Sequence, residues 1–222
     1  MKRSRRDLTT LSRRCLRRQK IADTQAAQRL ADLVAVLASA ELAPYLDVPR
    51  GELTRLGELM RELLDYGKPY STARQPAPIG RAIAPALAAF RELAATAGVA
   101  LEAADAGHEL VVRMDRARLC QVFENLVRNA VQVSPRDSRV ELCVRPVETS
   151  GTAWVECTVA DRGPGFAEDD LEHAFEPFFS KRRGGTGLGL SIARRIAGEQ
   201  GGSGAAANRP GGGAVLTVRL PM

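Results

Sequence analysis

The sequence predicts a two-layer α+β sandwich that follows an α-helical hairpin. Three features of the 222-residue chain indicate this. Residues 8–67 carry apolar side chains at helical spacing. From about residue 79, β-branched alternating segments are interspersed with helical ones. Neighbouring alternating segments are short and close enough to pair as antiparallel strands, which places helices on one face of a sheet.

The first part of the chain is predicted to form the hairpin, over residues 1–70. Two segments, 8–42 and 52–67 (ELTRLGELMRELLDYG), repeat apolar residues along one helical face. Between them Pro44, Pro49 and Gly51 favour a bend. The apolar stripe is too long for one hairpin to cover, so we expect a homo- or heterodimer through these helices. A linker is predicted at 71–78, within KPYSTARQPAP, before a folded domain at 79–222.

The domain's elements follow from periodicity. IGRAIAPALAAFRELAATAG predicts a helix with Pro85 near its first turn, and VALEAA and HELVVRMD predict strands. RARLCQVFENLVRNAVQVSP predicts a helix that ends at Ser134 and Pro135. RVELCVRPV and AWVECTVADRG predict antiparallel strands, SIARRIAGEQ a helix, and AVLTVRLP a last strand.

Composition and cysteine usage favour a reduced, cytoplasmic protein. The chain has 45% apolar and 26% charged residues, and no apolar run long enough to span a membrane. Its N-terminus lacks the apolar segment of a signal peptide. The four cysteines are widely spaced, with no CxxC pair and no histidine at metal-ligand spacing.

The net charge of +6 arises at the N-terminus. Residues 1–20 hold nine Lys or Arg and one acid, which leaves 23 basic and 25 acidic residues elsewhere. A solvated helix start explains this, and so does contact with anionic lipid or nucleic acid. No interleaved aromatic residues support base stacking, so no firm nucleic-acid or membrane partner is predicted.

Asn125 and Asn129 share one face of the helix predicted around them. Asparagine is a poor residue for a helix interior, and a buried amide without partners costs about 1–3 kcal/mol. A hydrated Mg²⁺ ion with nucleotide phosphates would satisfy both amides. Alternatively, both side chains reach solvent or cap a loop.

VADRGPGF ends an apolar strand with a carboxylate and two glycines. Gly163 and Gly165 permit a sharp turn and close approach of a planar ligand. A buried Asp161 at the strand end can accept a hydrogen bond from an exocyclic amino group, which suits adenine. The same pattern also marks ordinary turns.

FEPFFSKRRGGTGLGL contains the third pattern. Gly185, Gly187 and Gly189 are expected to leave N–H groups free for an anion, beside a helix that begins near Leu190. The basic run at 181–183 adds positive charge. The four residues Phe175, Pro177, Phe178 and Phe179 are expected to form an apolar cluster. A glycine-rich surface loop without ligand is the alternative.

Taken in order, these motifs resemble the catalytic ATP-binding domain of sensor histidine kinases. The resemblance covers residues 79–221 and points to the nitrogen-regulator type, within the superfamily of gyrase, HSP90, histidine kinases and MutL. It implies a Bergerat-type ATP-binding fold. ELTRLGELMRELLDYGKP is similar to the second helix of the family's dimerisation and phosphotransfer hairpin.

The resemblance implies roles for particular residues. Asn125 and Asn129 match the N box, with Asn129 as the Mg²⁺ ligand, and Gln132 is a common variant after it. Asp161 matches the acid that reads the adenine amino group. The ATP-binding positions implied are Asn125, Asn129, Asp161, Gly163, Gly165, Phe175, Phe178, Lys181, Gly185, Thr186, Gly187, Leu188 and Gly189. Catalytic roles fall to Asn125, Asn129 and Lys181.

The family's phosphoacceptor histidine is absent from this chain. Residues 1–50 contain no histidine, and His108 and His173 lack the expected motif context. Three explanations stay open: transfer in trans to a histidine of a separate protein or dimer partner, a degenerate kinase that binds ATP and regulates by shape, or a truncated or frame-disturbed hairpin. A serine kinase like the related anti-sigma factors fits less well, since the F box and LLDYGKP point to sensor kinases. Response regulators are the partners that the resemblance implies.

Overall fold

The computed structural model describes residues 57, 59, 60, 62, 64, 74–104, 107–182 and 185–222. The chain divides into two compact units, 1–69 and 70–222. The few described residues of the first unit are helical. Almost all of the predicted hairpin, including the basic segment 1–20 and Cys15, lies outside the described residues.

A five-stranded mixed sheet forms one layer of the second unit. Its order is β2-β4-β5-β7-β6, with β2 (Val99–Ala103) parallel to β4 (Ser138–Thr149). The strands β5 (Thr152–Ala160), β6 (Ser203–Asn208) and β7 (Ala214–Pro221) pair antiparallel. With helices packed on one face, this confirms the predicted α/β sandwich.

Three helices form the second layer. They are α1 (Gly80–Ala97), α2 (Arg116–Val133) and α4 (Gly189–Glu199), while α3 (Glu168–Leu171) is a short helix at the edge of the site. Pro85 lies in the second turn of α1, one turn later than predicted. Proline there removes one backbone donor, yet the helix is continuous through it, and Ala82, Ile83 and Ala86 around it are fully buried.

The core lies between the two layers. Alternate residues of the central strands, such as Leu142, Val159 and Leu216, face the helices and are almost fully buried. From the helices come Leu119, Phe123 and Leu126 of α2 and Ile192 and Ile196 of α4. The apolar stripe of α2 therefore fixes which face of that helix is turned away from the sheet.

A two-stranded antiparallel sheet adjoins these layers. It pairs β1 (Gln75–Pro78) with β3 (Val111–Met114). The residues of β1 fall inside the predicted linker 71–78, so the end of that segment belongs to the folded unit. Sequence patterns also missed α3 and β6, whose run SGAAAN has neither β-branched nor aromatic side chains.

Within the described part of the chain, none of the helices combines the length and the apolar character that crossing a membrane requires.

Candidate functional site

Helix α2 carries Asn125 and Asn129 one turn apart. Its start is fixed by Asp115, whose side chain accepts a hydrogen bond from the Arg118 N–H at 3.2 Å. It ends at Val133, with Ser134 as the C-cap before Pro135. Asn125 is buried, with 8% of its surface exposed, and Asn129 is half-buried.

The carboxamide of Asn125 is satisfied on one side only. Its Oδ1 accepts a hydrogen bond from Nη2 of Arg128 at 2.9 Å, while its buried Nδ2 has no partner. Because the arginine is a donor, the bond also fixes which end of the amide is oxygen. A buried donor without an acceptor costs about 1–3 kcal/mol, a cost that a ligand acceptor would remove.

The first turn of α4 lies against the same carboxamide. A Cβ built on Gly189 would lie 3.8 Å from Oδ1 of Asn125 and 3.5 Å from Nη2 of Arg128. The structure thus brings the asparagine helix and the end of the glycine loop together. Sequence reasoning missed Arg128, although its position three residues after Asn125 puts it on the same helical face.

Asp161 follows the last residue of β5, with 1% of its surface exposed. Its Oδ1 accepts two backbone hydrogen bonds, from Gly163 at 2.8 Å and from Ala214 at 3.1 Å. Its buried Oδ2 has no partner. Burial raises the pKa of this carboxyl above its usual range, although the two backbone donors act in the opposite direction. The free oxygen is an acceptor for a ligand N–H group.

The turn after Asp161 is packed backbone to backbone. A Cβ on Gly163 would lie 2.7 Å from the carbonyl oxygen of Val133, so this glycine lets the turn rest on the end of α2. Gly165 lies near Asn208, whose side chain bonds both the N–H and the C=O of Phe166 at 2.8 Å. The turn is therefore held between α2 and β6.

The FEPFF segment is joined to the glycine loop through main chain. The Phe178 N–H donates to the Gly187 carbonyl at 3.0 Å. A Cβ on Gly187, which has φ +70°, would lie 2.4 Å from the carbonyl carbon of Phe178. The predicted apolar cluster is wrong for Pro177 and Phe178, which are both exposed, Phe178 at 63%. Phe175 is buried, and the guanidinium of Arg194 lies over it, 5.5 Å from the ring centroid.

Not every loop amide is free as predicted. The Gly185 N–H donates to the Arg182 carbonyl at 3.1 Å, and the Leu188 N–H donates to Oγ1 of Thr186 at 3.3 Å. Both bonds are local to the loop. A phosphate that used these two donors would have to displace them.

The basic residues before the loop have protein partners. Lys181 Nζ lies 2.7 Å from Oδ1 of Asp170, and Arg182 Nη1 donates to Oε1 of Gln132 at 2.6 Å. The second bond connects the loop to the end of α2, three residues after Asn129. Arg183 and Gly184 lie outside the described residues.

The two histidines bond to groups other than Asn125 and Asp161. His173 pairs with Glu176 at 3.0 Å, and this hydrogen bond and the Glu176 charge raise its pKa. His108 lies in the turn before β3 and accepts the Gly80 N–H on its carbonyl oxygen at 2.9 Å. Among the described residues, no group of three or more His, Cys, Asp or Glu could hold a metal ion.

Known proteins resemble this chain in sequence and in fold. Residues 114–222 match the family described as "Histidine kinase-, DNA gyrase B-, and HSP90-like ATPase". The catalytic domain of histidine kinase ThkA, solved in a nucleotide-free form, is 30% identical, with a TM-score of 0.59 over 68% of this chain and 98% of that one. The chain belongs to this family.

Curated relatives of this histidine kinase-type ATPase domain are longer proteins. Sensor histidine kinase ZraS of Klebsiella oxytoca is 32% identical over 171 residues, 77% of this chain and 36% of that protein. Sensor-like histidine kinase SenX3 of Mycobacterium tuberculosis is 32% identical over 180 residues, 77% of this chain and 43% of that protein. The chain thus spans less than half the length of these relatives. Domains of the family bind ATP.

Proposed function

We propose that this chain is the ATP-dependent kinase module of a two-component system, and that it transfers the γ-phosphoryl group of ATP to a histidine of another chain. The observation that carries the proposal is a pair of buried, unpaired polar atoms, Nδ2 of Asn125 and Oδ2 of Asp161. One is a donor and the other an acceptor, as a phosphate and an amino-purine require.

Asp161 is proposed to read the adenine base. Its Oδ1 is held by two backbone donors, which leaves Oδ2 to accept the exocyclic amino group. Gly163 and Gly165 keep side chains away from the base. Ionised Asp161 would be stabilised by this bond, so ATP would lower the pKa that burial raises in its absence.

Asn125 and Asn129 are proposed to hold the phosphate end. The free Nδ2 of Asn125 would donate to a phosphate oxygen, and Asn129 would offer its amide oxygen to Mg²⁺. The ion would neutralise phosphate charge, and with no described carboxylate cluster to hold it, the nucleotide itself would supply ligands. Gly189 in the first turn of α4 and Gly187 in the loop before it would present N–H groups to the same phosphates.

The same residues favour transfer over hydrolysis. Relatives that hydrolyse ATP place a glutamate where Asn125 stands. An amide cannot take a proton from water, and the oxygen of Asn125 is already bonded to Arg128. The proposed acceptor is an imidazole nitrogen: a P–N bond forms, the bond to the ADP oxygen breaks, and the ring loses its N–H proton to solvent.

The acceptor is proposed to lie in trans because residues 1–50 contain no histidine. Residues 1–70 would form a degenerate dimerisation hairpin of the nitrogen-regulator type that pairs with a second copy or with a histidine-bearing chain. A response regulator would then receive the phosphoryl group. The chain would act in the cytoplasm. The part of the predicted linker 71–78 that precedes β1 would join the hairpin to the ATPase domain.

The test is phosphoryl transfer with a defined acceptor. The full chain, with Mg²⁺ and γ-labelled ATP, is mixed with separately purified histidine-bearing hairpins encoded near its gene. We expect acid-labile, alkali-stable label on one hairpin, and none when its histidine is replaced by glutamine. Calorimetric ATP binding together with unlabelled hairpins throughout would refute the kinase proposal.

The missing histidine favours one alternative, a catalytically inactive module whose assembly responds to nucleotide. In that case ATP and a non-hydrolysable analogue would change dimer or partner affinity equally. A kinase instead requires the cleavable nucleotide for its product.

A further inference from the structure

A cavity lies at the opposite end of the sheet from the Asn125–Asp161 site. It has a volume of about 400 Å³ and is lined by Arg74, Arg113, Gln200, Pro221 and Met222. Pro221 ends β7, whereas Ala214, which bonds Asp161, begins it. Since a strand rises about 3.3 Å per residue, the two sites lie about 23 Å apart. The cavity is therefore separate from the proposed nucleotide site.

Gln200 lines this cavity and carries an unsatisfied donor. The residue is 1% exposed, and its Oε1 accepts the Asp115 N–H at 2.9 Å. Because that partner is a donor, the amide cannot be reversed, and the nitrogen is the end left over. Nε2 is buried without a partner. A polar atom in this state is satisfied when a ligand brings an acceptor.

Two guanidinium groups border the same space. Arg74 and Arg113 are exposed, and within the described part of the chain neither guanidinium group makes a hydrogen bond or an ion pair. No aspartate or glutamate is among the lining residues. A guanidinium group binds planar oxyanions through two parallel N–H donors, and a neutral amide donor adds to such a site without adding charge.

We propose that this cavity binds a small oxyanion, a carboxylate or a phosphate, through Nε2 of Gln200 and the guanidinium of Arg113, with Arg74 beside it. Binding would tie together β3, the start of α2 and the end of α4, since Gln200 already bonds the residue that caps α2. The site is independent of the kinase proposal.

Titration of the ¹⁵N-labelled full chain tests this. The Gln200 side-chain amide signal is identified by its loss in Gln200→Met and followed at constant ionic strength against inorganic phosphate and, separately, succinate. We expect a saturable shift with at least one of them, and the stronger binder shows whether phosphate or carboxylate is preferred. Arg113→Gln should weaken that binding at least about tenfold, whereas Arg91→Gln, an exposed arginine of α1 outside the cavity, should not.

A second measurement does not depend on that signal. The same anion should raise the melting temperature of the wild type and of Arg91→Gln, and much less that of Arg113→Gln. No saturable response to either anion, or equal responses in Arg113→Gln and the wild type, would overturn the proposal.

Discussion

The guanidinium of Arg128 holds the carboxamide of Asn125 in one orientation. Nη2 of Arg128 donates to Oδ1 of Asn125 at 2.9 Å, and the first turn of α4 lies against both groups. The arginine therefore occupies the oxygen of the carboxamide and leaves the donor Nδ2 as its unpaired atom. Asn129, one turn further along α2, is the residue proposed to offer its amide oxygen to the metal ion.

Replacing Arg128 tests whether this orientation matters for nucleotide binding. In Arg128→Met, Asn125 can rotate its amide, so we expect Mg-ATP to bind about tenfold more weakly, as loss of a charge-assisted hydrogen bond implies. Isothermal titration calorimetry measures this. Arg128→Lys should recover part of the affinity, and Arg91→Met should bind like the wild type. Unchanged affinity in Arg128→Met would show that the bond does not position Asn125.

Asp161→Asn tests the base-reading role with little change in shape. The two backbone donors require an oxygen at the Oδ1 position, so the new NH₂ group must replace Oδ2. The unpaired acceptor becomes a donor that faces the donor of adenine. We expect a loss of roughly 3 kcal/mol in ATP binding, about a hundredfold in affinity.

Calorimetry measures the loss, and circular dichroism checks the fold. Asp137→Asn is the matched control, since Asp137 is exposed and its φ of +62° is one that asparagine tolerates. If Asp161→Asn folds normally and still binds ATP as tightly as that control, Asp161 does not read the base.

The sequence predicts those parts of the site that depend on residues close together in the chain, and it misses contacts between residues far apart in the chain. Asn125 and Asn129 are placed by helical periodicity, and Asp161 by the end of an alternating strand, so local patterns suffice for them. The bond from Arg182 to Gln132 joins residues 50 positions apart, and no local pattern specifies such a contact. Phe178 is exposed at a backbone φ of +68°, a conformation that apolar spacing in the sequence does not reveal.

The elements missed are those with weak local signals. β1 contains two prolines, and β6 is mostly alanine, glycine and serine, so neither has the β-branched composition of a strand. Each is held in the structure by a neighbour, β3 and β7 respectively. Tertiary pairing, which a propensity argument cannot see, accounts for both.

Replacement by alanine should be harmful at Gly187 and favourable at Gly198. Gly187→Ala puts a methyl group 2.4 Å from the Phe178 carbonyl carbon at a φ of +70°, so the loop must move and ATP binding should weaken at least about tenfold. Gly198→Ala, inside α4 with open space around it, should stabilise the domain by about 0.5–1 kcal/mol. Calorimetry and urea unfolding measure the two effects. Equal ATP affinity in both variants would mean that the contact between Phe178 and Gly187 plays no part in binding.

The ionisation of Glu156 should make the stability of the domain depend on pH. It lies on the sheet face opposite the helices, where its Oε1 accepts from Arg145 at 2.6 Å and its Oε2 accepts from Arg219 at 2.8 Å. Burial raises the pKa of this carboxyl, but the hydrogen bonds and charges of the two arginines outweigh it and hold the pKa below its usual range. A lowered carboxyl pKa adds stability above the unfolded value, about 4.3, and that stability is lost as the pH falls through the folded value.

We therefore expect Glu156→Gln to destabilise the domain by about 1–2 kcal/mol at pH 7. This is less than a fully buried ion pair would contribute, because both arginines are partly exposed to solvent. The difference from wild type should stay constant from pH 7 to about 5 and close below about pH 4, where the wild-type carboxyl takes up its proton. Urea unfolding at each pH gives the free energies. Glu148→Gln, an exposed carboxyl of the neighbouring strand β4, should differ little from wild type throughout. A difference at Glu156 that persists unchanged to pH 3 would mean that packing of the side chain, and not its charge, stabilises the sheet.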